Sequence, residues 1–341
     1  MVPWPVSVSE VRESSLSCYR FSKTLDILFC GTCSGPLFWR KHTDQAESLG
    51  IFTGALKNIP EPAVVSITDH ICVEDTVDGG ASPWLRWLND NGTESRRWKG
   101  RVEVSEEITS DWPSLEALMK VHDKKGPDVF RIQCHCKGVD LELRRGDADF
   151  ETMTADELPF FVDPTTYKQI ATFDACSFCR PMFGVDIIHW TFALLQHLDF
   201  PSGPEAQGIS TGFPKTVAEL KDAVLKPERD PRFGTLAMYA SSDDVQRYFC
   251  SCCSATILYA VDDRQDLVDV AVGVLSAPDG ARAESLLLWG LGSNVGGEDD
   301  VEGSWREGHV RAVKKAAEDW RIARGYPKTW RRIALEKAQD N

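Results

Sequence analysis

Short apolar runs, separated by glycine, aspartate and proline, dominate the pattern along this chain. Such runs lie at residues 129–134, 139–143, 257–261 and 268–275. Runs of this length between turn-forming residues are typical of β-strands. The run at 187–198 fits a strand or a helix, because periodicity alone does not separate the two. The sequence therefore predicts a mainly β fold.

The pattern changes near the C-terminus. From Trp305 to about Lys337 the apolar positions recur at helical spacing, and the segment Gly325-Tyr-Pro327 interrupts them. We therefore predict a helical tail made of two helices. The residues predicted to share its apolar face are Val310, Val313, Ala317, Trp320 and Ile322.

One stretch of sequence occurs twice. Residues 19–38 read YRFSKTLDILFCGTCSGPLF, and residues 239–258, 220 positions later, read YASSDDVQRYFCSCCSATIL. The tyrosine, a serine, the Phe-Cys and the Cys-x-x-Cys-Ser coincide, and an apolar run ending in Gly-x-Leu follows each copy. Chance would rarely reproduce all of these features, so the repeat indicates two related units.

The two units differ in length. The second copy has a long upstream part, from about Phe130 to Phe233, whereas only eighteen residues precede Tyr19. We interpret the first unit as N-terminally truncated. The predicted segments are a truncated unit with an ordered connector at 1–126, a complete unit at 127–296, and the helical tail at 297–341.

Composition and charge narrow the classes of partner. A formal net charge of −14 disfavours nucleic acid, because phosphate binding needs a basic face. No apolar run of about 18 residues predicts a membrane span, and the N-terminus shows no basic segment before an apolar core. We therefore expect a cytoplasmic protein without a membrane or nucleic-acid partner.

The eleven cysteines carry the clearest chemical signal. In a reducing compartment, close cysteine pairs are metal ligands or reactive thiols more often than disulfides. Cys134 and Cys136 follow one predicted strand, and Cys250 and Cys253 follow another. Together they supply the four thiolates of a structural zinc site. The alternative, free cysteines packed as small apolar residues, gives no reason for two close pairs.

A second cluster reads Asp174-Ala-Cys176-Ser-Phe-Cys179-Arg180. One carboxylate and two thiolates would leave a fourth zinc position open, as a catalytic site requires. Arg180 is predicted to hold an anionic substrate group. Two alternatives remain open: a tight turn in which Asp174 caps a helix above reduced thiols, and a redox Cys-x-x-Cys pair.

The remaining candidates are weaker. Cys30 and Cys33 repeat the second unit's pair without a Cys-x-Cys partner, and only Cys18 and Cys72 stand in reach, so we predict no tight zinc binding there. His135 lies between two zinc ligands and is expected to contact their surroundings. The other histidines are interpreted as surface or core residues; they are His42, His70, His122, His189, His197 and His309.

These motifs together resemble the glutathione-dependent formaldehyde-activating enzyme (GFA) family, also called the centromere protein V/GFA domain. The segment Cys134-His-Cys136-Lys-Gly138 resembles the family's Cys-x-Cys-Gly with one residue inserted, and Phe249-Cys250-Ser-Cys-Cys253-Ser254 resembles its Phe-Cys-x-x-Cys-Gly. The Asp174–Arg180 cluster resembles the family's middle element, with Asp174 replacing a cysteine. The match covers about residues 130–275, and the tandem layout is similar to that of fungal members.

The resemblance implies a β-tent fold with a structural zinc on the outer two elements and a second zinc on the middle one. It also implies carbon–sulfur lyase chemistry, in which a glutathione thiol combines with formaldehyde. A carboxylate oxygen also ligates zinc, so a Cys₂Asp site fits this element. We therefore expect a zinc-dependent lyase acting on a thiol adduct of a small aldehyde. The alternatives are a non-catalytic zinc scaffold that binds proteins and a related lyase for another small molecule.

Overall fold

The fold, seen in a computed structural model, is mainly β with helices at the C-terminal end, as the apolar pattern predicted. The structure describes residues 14–42, 47–61, 64–89, 92–109, 112–114, 116, 126–202 and 212–339. The strands are β1 Ser17–Ser22, β2 Leu25–Phe29, β3 Pro36–His42, β4 Glu47–Ile51, β5 Asp69–His70, β6 Arg96–Arg97, β7 Val129–Gln133, β8 Asp140–Arg144, β9 Gln169–Asp174, β10 Ile188–Leu194, β11 Leu198–Asp199, β12 Leu236–Ser242, β13 Val245–Cys250, β14 Thr256–Val261, β15 Leu267–Ala271, β16 Leu275–Ser276 and β17 Leu287–Trp289. The helices are α1 Ser82–Leu85, α2 Asp147–Phe150, α3 Cys179–Phe183, α4 Val217–Leu225, α5 Trp305–Arg324 and α6 Trp330–Gln339.

The strands form two larger sheets in the second unit and one sheet in the first. The seven-stranded sheet has the order β12-β13-β14-β15-β10-β9-β17, and a four-stranded sheet has the order β11-β8-β7-β16. The first unit forms its own four-stranded sheet, β1-β2-β3-β4. These pairings are antiparallel except that β17 runs parallel to β9. Because β9 lies between β10 and β17, its last residue, Asp174, sits at the end of a strand that is fixed on both sides.

The two copies of the repeat fold in the same way. In both copies, the first two strands pair in the same register, with Ser17 opposite Phe29 and Ala237 opposite Phe249. The turn after each Phe-Cys also matches, since Ser34 and Ser254 both adopt a left-handed φ of 62°. The strand β15 begins 220 residues after β4, which is the offset of the sequence repeat.

The ambiguous run at 187–198 forms a strand. Residues of β10 pair with β9 on one side and with β15 on the other, and a short 3₁₀ turn and β11 follow. A strand with neighbours on both edges and both faces covered shows a continuous apolar run, which resembles a buried helix in sequence.

The tail forms the two predicted helices. Ser304 caps the start of α5 by accepting a hydrogen bond from the Arg306 N–H, and Gly325 ends the helix with a φ of 62°. The predicted apolar face is correct for Val310, Val313 and Ala317, which are buried, but wrong for Ile322, which is 62% exposed. At 100° per residue, Ile322 lies about 120° around the helix from Val310.

One hydrophobic core includes residues from all three predicted segments. The ring of Trp84, from the connector, lies 5.0 Å from that of Trp289 and 5.4 Å from that of Trp320 in α5. The boundaries at 126 and 296 stay predictions, because the packing is continuous across them. Within the described part of the chain, no helix has both the length and the apolar character needed to span a membrane.

Candidate metal centres

The first cysteine group lies where the two sheets of the second unit meet. Cys134 and Cys136 follow β7, while Cys250 ends β13 and Cys253 lies in the turn after it. Their four sulfur atoms lie within 4.8 Å of one another. The Sγ of Cys136 is 3.5 Å from that of Cys134 and 3.4 Å from that of Cys250. Four cysteines that are distant in sequence thus converge as predicted, in an arrangement that can hold a metal ion.

The surrounding backbone favours negative charge on these sulfurs. The left-handed conformation of Lys137, with φ of 62°, turns the chain so that N–H groups face the sulfur atoms. These contacts are Val139 N to Cys134 Sγ (3.3 Å), Gly138 N to Cys136 Sγ (3.4 Å) and Cys253 N to Cys250 Sγ (3.4 Å). Within the group, hydrogen bonds from Cys134 and Cys253 lower the pKa of Cys250, whereas the hydrogen bond with Cys250 raises the pKa of Cys134 and burial raises that of Cys136. The group therefore suits a cation that binds thiolates.

The second group brings together a strand end, a turn and a helix start. Asp174 ends β9, Cys176 lies in the turn, and Cys179 begins α3. One ligand atom from each of these residues lies within 4.8 Å of the others. Asp174 Oδ1 also accepts a hydrogen bond of 2.6 Å from the Cys176 N–H, which closes the turn, but Asp174 does not cap the helix, because α3 has Phe178 at its N-cap and no side-chain cap. The turn therefore holds the carboxylate beside the two sulfur atoms.

Burial and hydrogen bonding change the acidity of these groups. Burial raises the pKa of Asp174 to about 6. A hydrogen bond from the Cys179 thiol lowers the pKa of Cys176 to about 6 and raises that of Cys179. In the metal-free protein, Cys176 is thus the more acidic of the two thiols, and a cation at the centre would favour ionisation of both.

The second group opens onto solvent through a cavity of about 560 Å³. Asp174, Cys176 and Cys179 line this cavity, together with Trp190 and Asp269. A neighbouring cavity of about 540 Å³ lies between the sheet and α6 and shares Asp174, Trp190 and Asp269 with it. A small molecule therefore has a route to the cluster, which a sealed structural site would lack.

Arg180 is not placed where the sequence predicted. It is 3% exposed, its guanidinium donates to the Ala175 carbonyl oxygen, and it does not line the cavity. Because α3 begins at Cys179, the next residue projects about 100° away around the helix axis. The predicted role of Arg180 as the holder of an anionic group is therefore wrong.

Arg247 occupies the place predicted for Arg180. Its Nη1 donates to Cys179 Sγ at 3.5 Å and its Nε donates to Ser241 Oγ at 3.0 Å. The guanidinium lies 5.1 Å from the ring centroid of Tyr259, and the residue is 5% exposed and lines the cavity. The sequence reasoning missed Arg247. The alternation of β13 offered one signal, since it places Arg247 on the face opposite to the core residue Tyr248.

Asp269 is a second cavity residue that the sequence reasoning missed. Its Oδ1 accepts a hydrogen bond of 2.7 Å from Arg264, and its side chain is 13% exposed. Burial raises the pKa of Asp269 to about 6. A buried carboxyl group that faces both cavities is suited to exchange a proton with a bound molecule near neutral pH.

The other candidates belong to neither ligand group. All eleven cysteines are free, and Cys252 is exposed. Cys30 and Cys33 belong to neither ligand group found among the described residues. His135 accepts or donates a 2.7 Å hydrogen bond with the Tyr19 hydroxyl, and Phe21 stacks on its ring at 4.1 Å. The first unit therefore covers the first centre through His135.

The remaining histidines behave as ordinary polar or packed side chains. His122 lies outside the described residues. The contacts of the others are His42 with Asp26 (2.6 Å), His70 with the Leu85 carbonyl oxygen (3.1 Å), His189 with Trp84 Nε1 (3.2 Å), His197 with Asp149 (2.8 Å), and His309 with the Trp305 ring (5.2 Å). Neither ligand group contains a histidine.

Comparison of the chain with protein-family models, with curated proteins and with solved structures finds no match. The resemblance to the GFA family therefore stays a prediction from the motifs. The structure itself contributes two groups of side chains that can each hold a metal ion, one with three of its four cysteines buried and one that lines a cavity of about 560 Å³.

Proposed function

We propose that the protein is a zinc-dependent carbon–sulfur lyase of the GFA type with a β-tent fold. In this proposal Cys134, Cys136, Cys250 and Cys253 hold a structural zinc, and Asp174, Cys176 and Cys179 hold a catalytic zinc. Thiolate-rich sets select zinc over hard cations such as Mg²⁺. Four ligands close a structural site, whereas three leave a position for substrate. We expect a cytoplasmic protein, because reduced thiols are available there.

One observation carries the proposal: Asp174, Cys176 and Cys179 converge at the wall of an open cavity. The substrate would be a thiol adduct of a small aldehyde, with a glutathione-type thiol. Bound zinc would supply Lewis-acid stabilisation of the substrate's thiolate. The chain's own residues would bind and orient that substrate and move its protons.

Two cavity residues have definite roles in this reaction. In the forward direction the carbon–sulfur bond breaks, the electron pair goes to sulfur, and the adduct's hydroxyl group loses its proton as the aldehyde forms. Asp269 would accept that proton at its carboxylate. Arg247 would offset the negative charge that develops on the substrate sulfur, because its guanidinium already lies beside Cys179.

Two alternatives each have an observation in their favour. The hydrogen bond from the Cys176 N–H to Asp174 Oδ1 suits a plain tight turn, which would make the protein a non-catalytic zinc scaffold. The cavity of about 560 Å³ leaves room for an electrophile larger than formaldehyde, which suits a related lyase for another small molecule.

Metal analysis tests the proposal directly. We expect two zinc ions per purified wild-type chain and one in the Asp174→Ala variant, with loss of S-hydroxymethylglutathione cleavage. The matched control is Asp243→Ala, an exposed aspartate outside both ligand groups, which should keep both ions. One zinc per wild-type chain would favour the scaffold. Two zinc ions without cleavage of this adduct would favour a different substrate.

A further inference from the structure

The turn between Cys176 and Cys179 is held by a residue far along the chain. Ser177 lies between the two thiols, and its N–H and hydroxyl both donate to Asp300 Oδ2, at 2.7 and 2.9 Å. A carboxylate oxygen that accepts two hydrogen bonds from one residue fixes the position of that residue. Asp300 thus anchors the turn that carries two ligands of the open centre.

Asp300 is in turn connected to the first unit. Asn58 Nδ2 donates to the Asp300 carbonyl oxygen at 2.7 Å, and Asn58 Oδ1 accepts from Arg306 Nη1 at 2.6 Å. Arg306 is 1% exposed and also donates to Asp186 Oδ1 at 2.8 Å and to the Thr53 carbonyl oxygen at 2.5 Å. This buried arginine therefore joins the first unit, the tail and the loop after α3.

Two glycines allow neighbouring backbone to pack closely against the turn and against the helix α3 that follows it. Gly297, with φ of 63°, lies so close that a Cβ atom there would be 2.6 Å from Cys176 Cα. Gly54, in the first unit, approaches the end of α3, where a Cβ atom would overlap the Arg180 carbonyl oxygen. The Gly54 N–H also donates to the Gly184 carbonyl oxygen at 3.2 Å. Neighbouring backbone therefore packs against the Cys176–Cys179 turn at Gly297 and against α3, which follows the turn, at Gly54.

We propose that Asp300 and Arg306 are positioning residues for the open metal centre, and that the first unit supports this centre from outside. The inference rests on the proposed metal at Asp174, Cys176 and Cys179. Ligands must be held to within about half an ångström for a site to keep its affinity. Groups that orient metal ligands typically contribute 10–100-fold to metal affinity. The first unit thus supports a centre to which it gives no ligand.

Cobalt(II) titration of the full-length protein tests this inference, because thiolate-bound cobalt absorbs visible and near-ultraviolet light. We expect Asp300→Ala to weaken the second cobalt site about 10–100-fold, while the first site and the thermal unfolding midpoint change little. Glu302→Ala, an exposed acid two residues away, is the matched control and should match the wild type. Asp300→Asn keeps one carbonyl oxygen and should restore part of the affinity.

A milder variant guards against a folding defect. Ser177→Ala removes one of the two donors to Asp300 from an exposed position, so we expect a smaller loss of affinity in the same direction. If both variants bind two cobalt ions as tightly as the wild type, the positioning inference is wrong and the metal centre stands. If the wild type binds one cobalt ion only, the open centre itself is wrong, and the inference falls with it.

Discussion

At the residue scale, Arg180 and Arg247 show what a linear motif can and cannot predict. Arg180 is adjacent to a ligand in sequence, yet the helix that begins at Cys179 turns it into the interior. Arg247 is 68 residues from Cys179, yet the pairing of β13 within the sheet places its guanidinium on that sulfur. Spacing within a turn is a local property, whereas the partner across a cavity depends on strand order and register.

Asp269 provides a prediction about pH. Its pKa is raised to about 6 in the folded state, above the ordinary value of 3.8. A carboxyl group whose pKa rises on folding binds its proton more tightly in the native state, so its contribution to stability falls as pH rises from about 4 to about 6. With the structural zinc in place and no metal at the open centre, Asp269→Asn should therefore gain stability relative to the wild type over this interval. The expected gain is about 1.4 kcal/mol for each pH unit that separates the folded and unfolded pKa values.

Urea unfolding at pH 4 and pH 7 measures this effect. The stability difference between variant and wild type is measured at each pH, and the two differences are then compared. Loss of the hydrogen bond to Arg264 also changes the free energy of unfolding of the variant. A change that is equal at both pH values cancels in this comparison. A stability difference that stays constant from pH 4 to pH 7 would mean that Asp269 titrates normally.

At the element scale, the repeat made half of the strands predictable. The match between residues 19–38 and 239–258 implied that whatever strands one copy forms, the other forms too, and the structure shows the same register and the same left-handed serine after each pair. The four ligands of the first centre were predictable for a related reason. Two close cysteine pairs at strand ends have few arrangements other than a shared metal.

Other elements could not be predicted from the pattern. The run at 187–198 is apolar on both faces because β10 is an inner strand of the sheet. Periodicity alone cannot distinguish such a run from a buried helix. The parallel pairing of β17 with β9 joins segments more than a hundred residues apart. In α5, Ile322 is exposed because, at 100° per residue, it lies outside the apolar face formed by Val310 and Val313. The predicted face wrongly included it.

The cysteine turn of the first unit leads to a second prediction. Cys30 and Cys33 lie in a turn with the same backbone conformation as the turn that carries Cys250 and Cys253, but they belong to neither ligand group of the described residues. Two thiolates alone leave zinc half coordinated. We expect Cys30→Ser to leave the zinc content per chain unchanged, as measured by elemental analysis. Loss of one ion would reveal further ligands, with Cys18 and Cys72 the first to test.

At the scale of the whole molecule, the first metal centre joins two sheets that share one core. Cys134 and Cys136 extend from the four-stranded sheet, and Cys250 and Cys253 from the seven-stranded one. A structural zinc contributes on the order of 10–16 kcal/mol of apparent binding free energy, which exceeds the net stability of most domains. With the proposed zinc bound, the joint between the sheets would depend on all four thiolates.

Removing one thiolate should accordingly unfold the protein or make it insoluble. We expect this result for Cys136→Ala and for Cys253→Ala, measured as soluble yield and thermal unfolding. Cys252→Ala is the matched control, since this exposed cysteine lies in the same turn and belongs to neither ligand group. A soluble Cys253→Ala variant that unfolds at the wild-type temperature would show that the sheets hold together without the metal.

The contact of the first unit with α3, at Gly54, also has an evolutionary consequence. Gly54 and Gly273 stand at equivalent places in the two copies, but only Gly54 faces a neighbouring backbone, whereas a Cβ atom at Gly273 would meet open space. After a duplication, selection acts on whichever contacts a copy still makes. We expect descendants of the same ancestral gene to retain glycine at position 54 and to vary at Gly273, while Cys30 and Cys33 drift without penalty. On this view, selection retains the first unit because it supports the second unit.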